Sequence, residues 1–270
     1  MMKVAVIGAS GRMGQAVLQE LIAQGHECAA AIVSEQSSQL GQAPDDPRLA
    51  GRHYSSGREL EPGSVDVMID FSLPQALSHN LALAQHLGAP IVVCTTGLAD
   101  ADQDTLAQAS QSLPVLYAAN TSVGIALMEQ LVTLASAGFA DADIEILEAH
   151  HAAKRDAPSG TALVLGEAAA TGRGTTLAQS TAGIRGEGPR QAGSIGFAVL
   201  RAADIVGEHS VYLAQTGERI ELTHRIRDRQ VFARGAVQAA QWLAGQPAGR
   251  YKMRDMLDTK ALLQRLLHEI

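Results

Sequence analysis

The chain begins with Lys3-Val4-Ala5-Val6-Ile7, an apolar run of strand length, and passes at once into Gly8-Ala9-Ser10-Gly11-Arg12-Met13-Gly14. No other feature restricts the fold as much. Beyond the glycines, Met13, Val17, Leu18, Leu21 and Ile22 recur at helical spacing, so the segment reads as strand, tight turn and amphipathic helix over Arg12 to Gln24. Gly8 permits the turn, Gly11 lets backbone approach a pyrophosphate, and Gly14 lets the helix sit close to the sheet. Glycines at this spacing also serve purely steric turns. With a strand before them and a helix after, they predict a dinucleotide-binding turn.

The rhythm continues through the first 120 residues. Strands are expected at Cys28 to Val33, Val65 to Phe71, Ile91 to Cys94 and Val115 to Ala118. Helices are expected at Gln75 to Leu87 and around Asp102 to Gln111, with a polar, proline-containing loop from Gln36 to Pro47. Such alternation builds parallel βαβ units and a doubly wound sheet. After Asn120 the pattern changes to a long helix (Ile125 to Ala137), a strand (Ile144 to Ala149) and a helix (Ala162 to Ala170). A glycine-rich stretch from Gly172 to Gly196 follows, expected as a surface loop whose Arg185 and Arg190 are able to close over a ligand. Ile195 to Arg201, His209 to Ala214 and Arg219 to Thr223 come with no helix between them, which predicts an antiparallel sheet. A last helix, Val231 to Ala244, should return to the first domain.

The expected fold is therefore α/β. A Rossmann-type doubly wound parallel sheet, 1–121, is completed by C-terminal helices from 232–270. A second α+β domain, 122–231, is built on a mixed or antiparallel sheet and serves substrate binding and oligomerisation.

Composition narrows the function. The 270 residues carry a formal net charge of -7, only 3% are aromatic, and 26 are glycine, a balance that suits a sheet-and-helix enzyme. With no basic patch beyond one short cluster, nucleic acid is excluded as a partner. No apolar run reaches the ~18 residues of a membrane span, and the N-terminus enters a strand directly rather than forming a signal peptide. The expected location is cytoplasmic. Cys28 and Cys94 fall in apolar runs without metal-ligand spacing and read as buried thiols; no metal site is expected.

The one basic cluster lies in Glu148 to Ala162, EAHHAAKRDAPSGTA, where His150, His151, Lys154 and Arg155 crowd together in an otherwise acidic chain. Pro158-Ser159-Gly160-Thr161 reads as a helix start capped by Ser159, with the N–H groups of Gly160 and Thr161 turned outward. Cations beside a helix N-terminus make an anion site, and a histidine near a lysine makes a proton donor. A small anionic substrate is implied. Strand alternation aims His150 and His151 at opposite faces unless the strand ends between them. Arg155 and Asp156 are open to pairing with each other at the surface. His26, His53, His79, His86 and His268 read as structural, and His209 and His224 as packing or subunit-contact residues.

The cofactor's identity is less constrained. The acid expected about twenty residues after the glycine turn, to hold the adenosine ribose, is absent. Val33 stands at that strand end, followed by Ser34. Without the acid nothing repels a 2′-phosphate, which Ser34, with Arg12, is placed to contact, so NADPH should be at least tolerated beside NADH. Turns at Cys94-Thr95-Thr96-Gly97 and Ala118-Ala119-Asn120-Thr121 also end strands of this sheet, where ligands gather.

Taken together, GASGRMG, IDFSLP at 69–74, CTTG at 94–97, AANTSVG at 118–124, EAHHAAKRDAPSGTA, RAADIVGEH at 201–209, ELTH at 221–224 and FARGA at 232–236 resemble the 4-hydroxy-tetrahydrodipicolinate reductases of lysine and diaminopimelate biosynthesis. The resemblance spans nearly the whole chain. It implies NAD(P)H-dependent reduction of a cyclic imine dicarboxylate with loss of water, in a homotetramer assembled through the second domain's sheet. It assigns His150 as proton donor or acceptor, Lys154 as proton donor, His151 as a substrate contact, and Ser159, Gly160 and Thr161 as a carboxylate site. Gly8, Ala9, Ser10, Gly11, Arg12 and Met13, with Thr95, Thr96, Gly97, Ala118, Ala119, Asn120 and Thr121, would contact the cofactor. Many relatives carry an acid at the place of Val33, some an arginine at that of Ser34 or of Leu73, and the usual residue at that of Cys94 is glycine. Two alternatives stand beside this reading. One is another two-domain nicotinamide dehydrogenase, such as a semialdehyde dehydrogenase using Cys94 as nucleophile. The other is a dinucleotide-sensing regulatory protein of the same fold.

Overall fold

The computed structural model describes residues 1–259 together with Ala261, Gln264 and Arg265; His268 lies outside them. In chain order come β1 (Lys3–Ile7), α1 (Arg12–Ala23), β2 (Glu27–Ile32), β3 (Tyr54–Ser55), β4 (Val67–Asp70), α2 (Leu77–Leu87) and β5 (Ile91–Val93). Next are α3 (Asp100–Ala109), β6 (Pro114–Tyr117), α4 (Val123–Gly138), β7 (Asp143–His150), α5 (Gly160–Gly172) and α6 (Leu177–Ser180). The last are β8 (Thr181–Ile184), β9 (Ile195–Arg201), β10 (Gly207–Gln215), β11 (Glu218–Ile226), α7 (Gln230–Leu243) and β12 (Gly249–Tyr251). The chain forms two compact units, one of Met1–Ser122 with Arg229–Met256, the other of Val123–Asp228 with the described residues from Leu257 onward.

The first unit holds a seven-stranded sheet of order β12-β6-β5-β4-β1-β2-β3, parallel throughout. Val4, Val6, Val67, Met68, Ile69, Ile91, Val92 and Val93 are all completely buried. Continuous apolar strands of this kind are what a parallel sheet covered on both faces requires. The strand order reverses at β1, which pairs with β2 on one side and β4 on the other. That switch point places the glycine turn where an open α/β sheet receives ligands. α7 returns to pack on α1 and on β4, β5 and β6. The Thr121 hydroxyl donates to the Phe232 carbonyl at 2.7 Å. The expectation that the chain from 232 to its end stays with this unit needs correction. From Leu257 the described residues group with the second unit, where the Thr259 hydroxyl donates to the Gln130 side chain.

The second unit is a five-stranded mixed sheet of order β11-β10-β7-β9-β8. β9 runs parallel to β7, whereas β10 is antiparallel to both β7 and β11. The simple antiparallel sheet expected from the last three strands is thus replaced by one in which β7 separates β9 from β10. The parallel β7–β9 pair needs a crossover connection, and α5, α6 and the glycine-rich segment supply it. That segment is accordingly not only a loop, because it contains α6 and the edge strand β8. α4 and α5 cover one face, burying Ile144, Ile146, Leu165, Ile195, Phe197 and Val211. On β7, β9 and β11, Leu147, Leu200 and Ile220 remain 37%, 45% and 41% exposed.

Candidate active site

Strand alternation sets the first part of the site. Ile144, Ile146 and Glu148 share a parity on β7 and all are 0% exposed, so a carboxylate stands where the pattern calls for an apolar side chain. Burying it alone would cost several kcal/mol. The structure satisfies it completely. Arg201, at the end of β9, donates from Nη1 to Oε2 and from Nη2 to Oε1, both at 2.8 Å. The Ser159 backbone N–H donates to Oε1 at 3.1 Å, and His150 Nδ1 lies 2.6 Å from Oε2. Burial pushes the Glu148 carboxyl upward, but the hydrogen bonds from Arg201 and His150 outweigh it and hold the group ionised, below its ordinary range.

His150 shares the same parity and closes the strand. With Nδ1 donating to a carboxylate, Nε2 is left to other partners. A Cβ built on Gly207, at the start of β10, would stand 3.3 Å from that Nε2, so the glycine keeps space beside it. Burial lowers the His150 pKa against the pull of Glu148, and the charges of Lys154 and Arg201 lower it further. His151 lies beyond the strand, in a turn where its carbonyl accepts from the Lys154 N–H at 3.1 Å. The strand therefore ends between the histidines, and alternation does not force them apart.

Lys154 Nζ pairs with Asp156 Oδ1 at 2.9 Å. The expected Arg155–Asp156 pair is corrected accordingly: Asp156 bonds to Lys154 through its side chain and accepts from Arg201 through its carbonyl. Past the cis Ala157–Pro158 peptide, Ser159 caps α5 by accepting the Ala162 N–H at 3.2 Å. The first-turn N–H groups of an α-helix, here those from Gly160 onward, have no acceptor within their own helix. Arg185 and Arg190 lie elsewhere. Both pair with Glu145, and Arg190 also with Asp143, on the half of β7 away from His150.

Sequence reasoning gave Glu148, Arg201 and Gly207 no role of their own and read His209 only as a packing or subunit-contact residue. His209 is 3% exposed, stacks edge-on against His150 with ring centroids 5.2 Å apart, and places Nε2 3.0 Å from Ser159 Oγ. Burial pushes its pKa down to about 3, so the ring is neutral. A signal for Glu148 was present, since an acid at a core parity of a buried strand requires partners. Nothing comparable marked His209.

In the first unit Gly8 has φ 73°, and a Cβ on it would lie 2.7 Å from the Phe71 carbonyl oxygen. A Cβ on Gly14 would fall on the Gly8 carbonyl and 2.7 Å from Ala9 Cα. Gly8 and Ala9 spend their N–H groups on the Ile32 carbonyl, and Gly11 spends its own on Gly8. The donors left for a phosphate are those of the first turn of α1, from Arg12 and Met13 onward. That helix has no side-chain cap and no acid in its first turn. Thr95, at the end of β5, is 2% exposed, and its hydroxyl finds no partner among the described residues. An uncapped helix, a cradle that side chains would fill and an orphaned buried hydroxyl all fit a dinucleotide. Thr96 and Gly97 follow in the same turn. Ala118 donates its N–H to Val93, and Asn120 accepts from the Ser122 N–H at 2.9 Å. Ser34 turns its hydroxyl to Gln36 at 2.6 Å, and the nearby Glu35 pairs with Arg58.

Cys94 is 4% exposed, and burial raises its thiol pKa well above the ordinary value. A buried protonated thiol is no nucleophile, which removes the feature that favoured a semialdehyde dehydrogenase. One unit with a parallel sheet and a glycine turn at its switch point, and a second unit presenting His150, Lys154 and a capped helix, define a nicotinamide-dependent oxidoreductase.

Comparison with known proteins narrows the class. Family models described as "Dihydrodipicolinate reductase, N-terminus" and "Dihydrodipicolinate reductase, C-terminus" match residues 2–121 and 124–257. The chain belongs to this family. The 4-hydroxy-tetrahydrodipicolinate reductase of Zymomonas mobilis is 44% identical over 259 residues, 94% of this chain and 96% of that protein. The enzyme of the same name from Pseudoalteromonas translucida is 44% identical over 263 residues, 96% and 98% of the two chains. Among solved structures, a dipicolinate-bound dihydrodipicolinate reductase from Paenisporosarcina sp. TG-14 superposes with a TM-score of 0.74 at 22% identity, covering 95% of this chain and all of that one. An aspartate semialdehyde dehydrogenase from Vibrio cholerae shares the fold alone, with a TM-score of 0.54 at 11% identity. The activity is thus NAD(P)H-dependent reduction of 4-hydroxy-tetrahydrodipicolinate in lysine and diaminopimelate biosynthesis. No helix among the described residues is long and apolar enough to cross a membrane.

Proposed function

We propose that His150 and Lys154 carry the proton transfers of this reduction, and that the N-terminus of α5 with His151 holds the substrate's carboxylates. The substrate plus NAD(P)H and one proton gives tetrahydrodipicolinate, NAD(P)+ and water. The bound nicotinamide supplies the hydride. Loss of the substrate's hydroxyl as water leaves a conjugated imine, and hydride addition to it leaves an enamine whose carbon must gain a proton. Lys154 Nζ donates it, and His150 Nε2 donates or accepts beside it. One carboxylate takes the first-turn N–H groups from Gly160 and Thr161, and cationic side chains serve the other. The observation that carries this reading is His150, whose Nδ1 is committed to an ionised buried Glu148 while Nε2 has space beside Gly207.

We further propose that Gly8 to Met13, Thr95 to Gly97 and Ala118 to Thr121 bind the cofactor, with NADPH accepted through Ser34 and Arg12. Support comes from the orphaned Thr95 hydroxyl, the uncapped start of α1 and the lack of an acid at Val33. The exposed Leu147 and Leu200, which share the face of the second sheet opposite its helices, favour a homotetramer formed through that sheet. We place the enzyme in the cytoplasm, with the biosynthesis it serves.

The test couples the enzyme to dihydrodipicolinate synthase, which makes the unstable substrate in situ, and follows nicotinamide absorbance with NADPH and NADH in turn. Oxidation that depends on the synthase's substrates is expected with NADPH. A catalytic efficiency strongly favouring NADH would overturn the reading of Ser34 and Arg12. Pyridine-2,6-dicarboxylate, the ligand named in the Paenisporosarcina structure, should compete with substrate. Failure to compete would count against the carboxylate site.

A further inference from the structure

We infer that Glu148 is a positioning residue that fixes His150 as the Nδ1–H tautomer and ties it to the helix that receives the substrate carboxylate. The inference rests on the reading of His150 as a proton-transfer group. Its geometry is independent of that reading.

One carboxylate makes every link. Oε2 receives His150 Nδ1 at 2.6 Å, and Oε1 receives the backbone N–H of Ser159, the cap of α5, at 3.1 Å. Arg201 lies across both oxygens in a two-pronged hydrogen bond. That fork sets the plane of the carboxylate and keeps it charged. A carboxylate accepts and never donates, so the imidazole must present a proton at Nδ1. Nε2 is then bare in the neutral ring and becomes the site of proton gain and loss. Since Ser159 hangs on the other oxygen, the imidazole and the start of α5 share one anchor. A shift of Glu148 would move proton donor and carboxylate site together, and misplacement on the scale of 1 Å is costly in a catalytic site.

The groups facing His150 are few. Glu148 comes from its own strand, Arg201 from β9, the neutral His209 from β10 and Lys154, with its partner Asp156, from the turn after β7. Among the described residues Glu148 is the one anion in contact with the ring. It favours the imidazolium, against burial and against the two cations.

The full-length protein labelled with 15N-histidine tests this by two-bond 1H–15N correlation NMR across a pH series, with His150→Gln identifying the signal. The expected wild-type spectrum above the midpoint shows Nδ1 protonated and Nε2 bare. In Glu148→Gln the His150 midpoint should fall by about one pH unit, the effect of losing one adjacent opposite charge. The acid limb of kcat/KM should fall with it. A wild-type ring protonated at Nε2 would overturn the inference, as would an unchanged midpoint in Glu148→Gln. Should that variant not fold, the wild-type tautomer still decides. Neither spectrum depends on turnover. If His150→Ala retained activity, the proposed catalytic role would fail while this coupling could stand. Loss of activity in His150→Ala alongside a wrong tautomer would sink the coupling alone.

Discussion

At the carboxyl end of β1 the proposed ligand-facing surface is backbone, whereas at the carboxyl end of β7 it is side chain. The first is made by leaving atoms out. Gly8 and Gly14 have no Cβ because carbonyls already fill the space, and α1 begins without a cap. The second is made by burying charge. Glu148 is completely enclosed and survives because Arg201, His150 and Ser159 saturate its oxygens. The difference predicts how each fails. A backbone site fails by overpacking, losing cofactor and local fold together. A charge network fails chemically, because the protein can keep its shape while a proton loses its path.

The largest effect should therefore come from His150→Ala. General acid–base groups contribute about 10²- to 10⁴-fold, and turnover should fall by that order while the Michaelis constant changes little. Lys154→Ala should lower turnover and also raise the Michaelis constant. NADPH affinity, read by fluorescence titration, should be unaffected in both. Wild-type turnover in either variant would remove that residue from the mechanism, and lost cofactor binding would erase the contrast drawn between the two regions.

Gly14→Ala should give the opposite pattern. Its methyl would meet the Gly8 carbonyl and lie 2.7 Å from Ala9 Cα; overpacking on this scale costs about 1–3 kcal/mol. The expected result is a lowered Tm and weakened NADPH binding, with pyridine-2,6-dicarboxylate still bound. Intact cofactor affinity would show that α1 can shift without loss of the cradle.

Gly207→Ala sharpens the comparison, because it introduces crowding into the charged site. At 3.3 Å from His150 Nε2 the new methyl is tight but tolerable if the ring yields slightly. Turnover should fall several-fold, the scale of a small misplacement, with stability and NADPH binding close to wild type. Unchanged turnover would mean that Nε2 does not use the space beside Gly207.

The same contrast explains what was readable from the sequence. A backbone site leaves a local record, because glycines required by contacts within a few residues appear as a spaced motif. The parallel sheet was legible for a related reason: strands buried on both faces have to be continuously apolar. His150, Lys154 and Ser159 were legible because cations and a cap crowd one short segment. The partners were not. Arg201 and His209 lie 53 and 59 residues from Glu148 and His150 respectively, and reach them only through strand order. That order was itself misread, since nothing local in Ile195–Arg201 says that it pairs with β7 rather than β10. Arg185 and Arg190 show the converse error, for a charged glycine-rich stretch looks mobile until Glu145 is seen holding both.

The smallest effect concerns His209, whose role is read from stability rather than turnover. Its folded pKa is about 3 against an ordinary 6.5, with burial the main cause. Between those values the unfolded chain takes up a proton that the folded chain refuses. The unfolded state then binds more protons, so stability declines as pH falls through this window and the contribution is complete only above about 6.5. Gln at this position keeps a polar side chain near Ser159 Oγ and cannot titrate. Replacing His209 should cost some stability at pH 7 through the imperfect contact. The gap from wild type should narrow steadily toward acid in denaturant titrations at pH 7, 5.5 and 4. Glu148 and His150 also titrate, but both remain in the variant and their contributions largely cancel in the difference. A gap that stays constant with pH would mean that His209 takes up its proton in the folded state, placing a third cation near His150 beside Lys154 and Arg201.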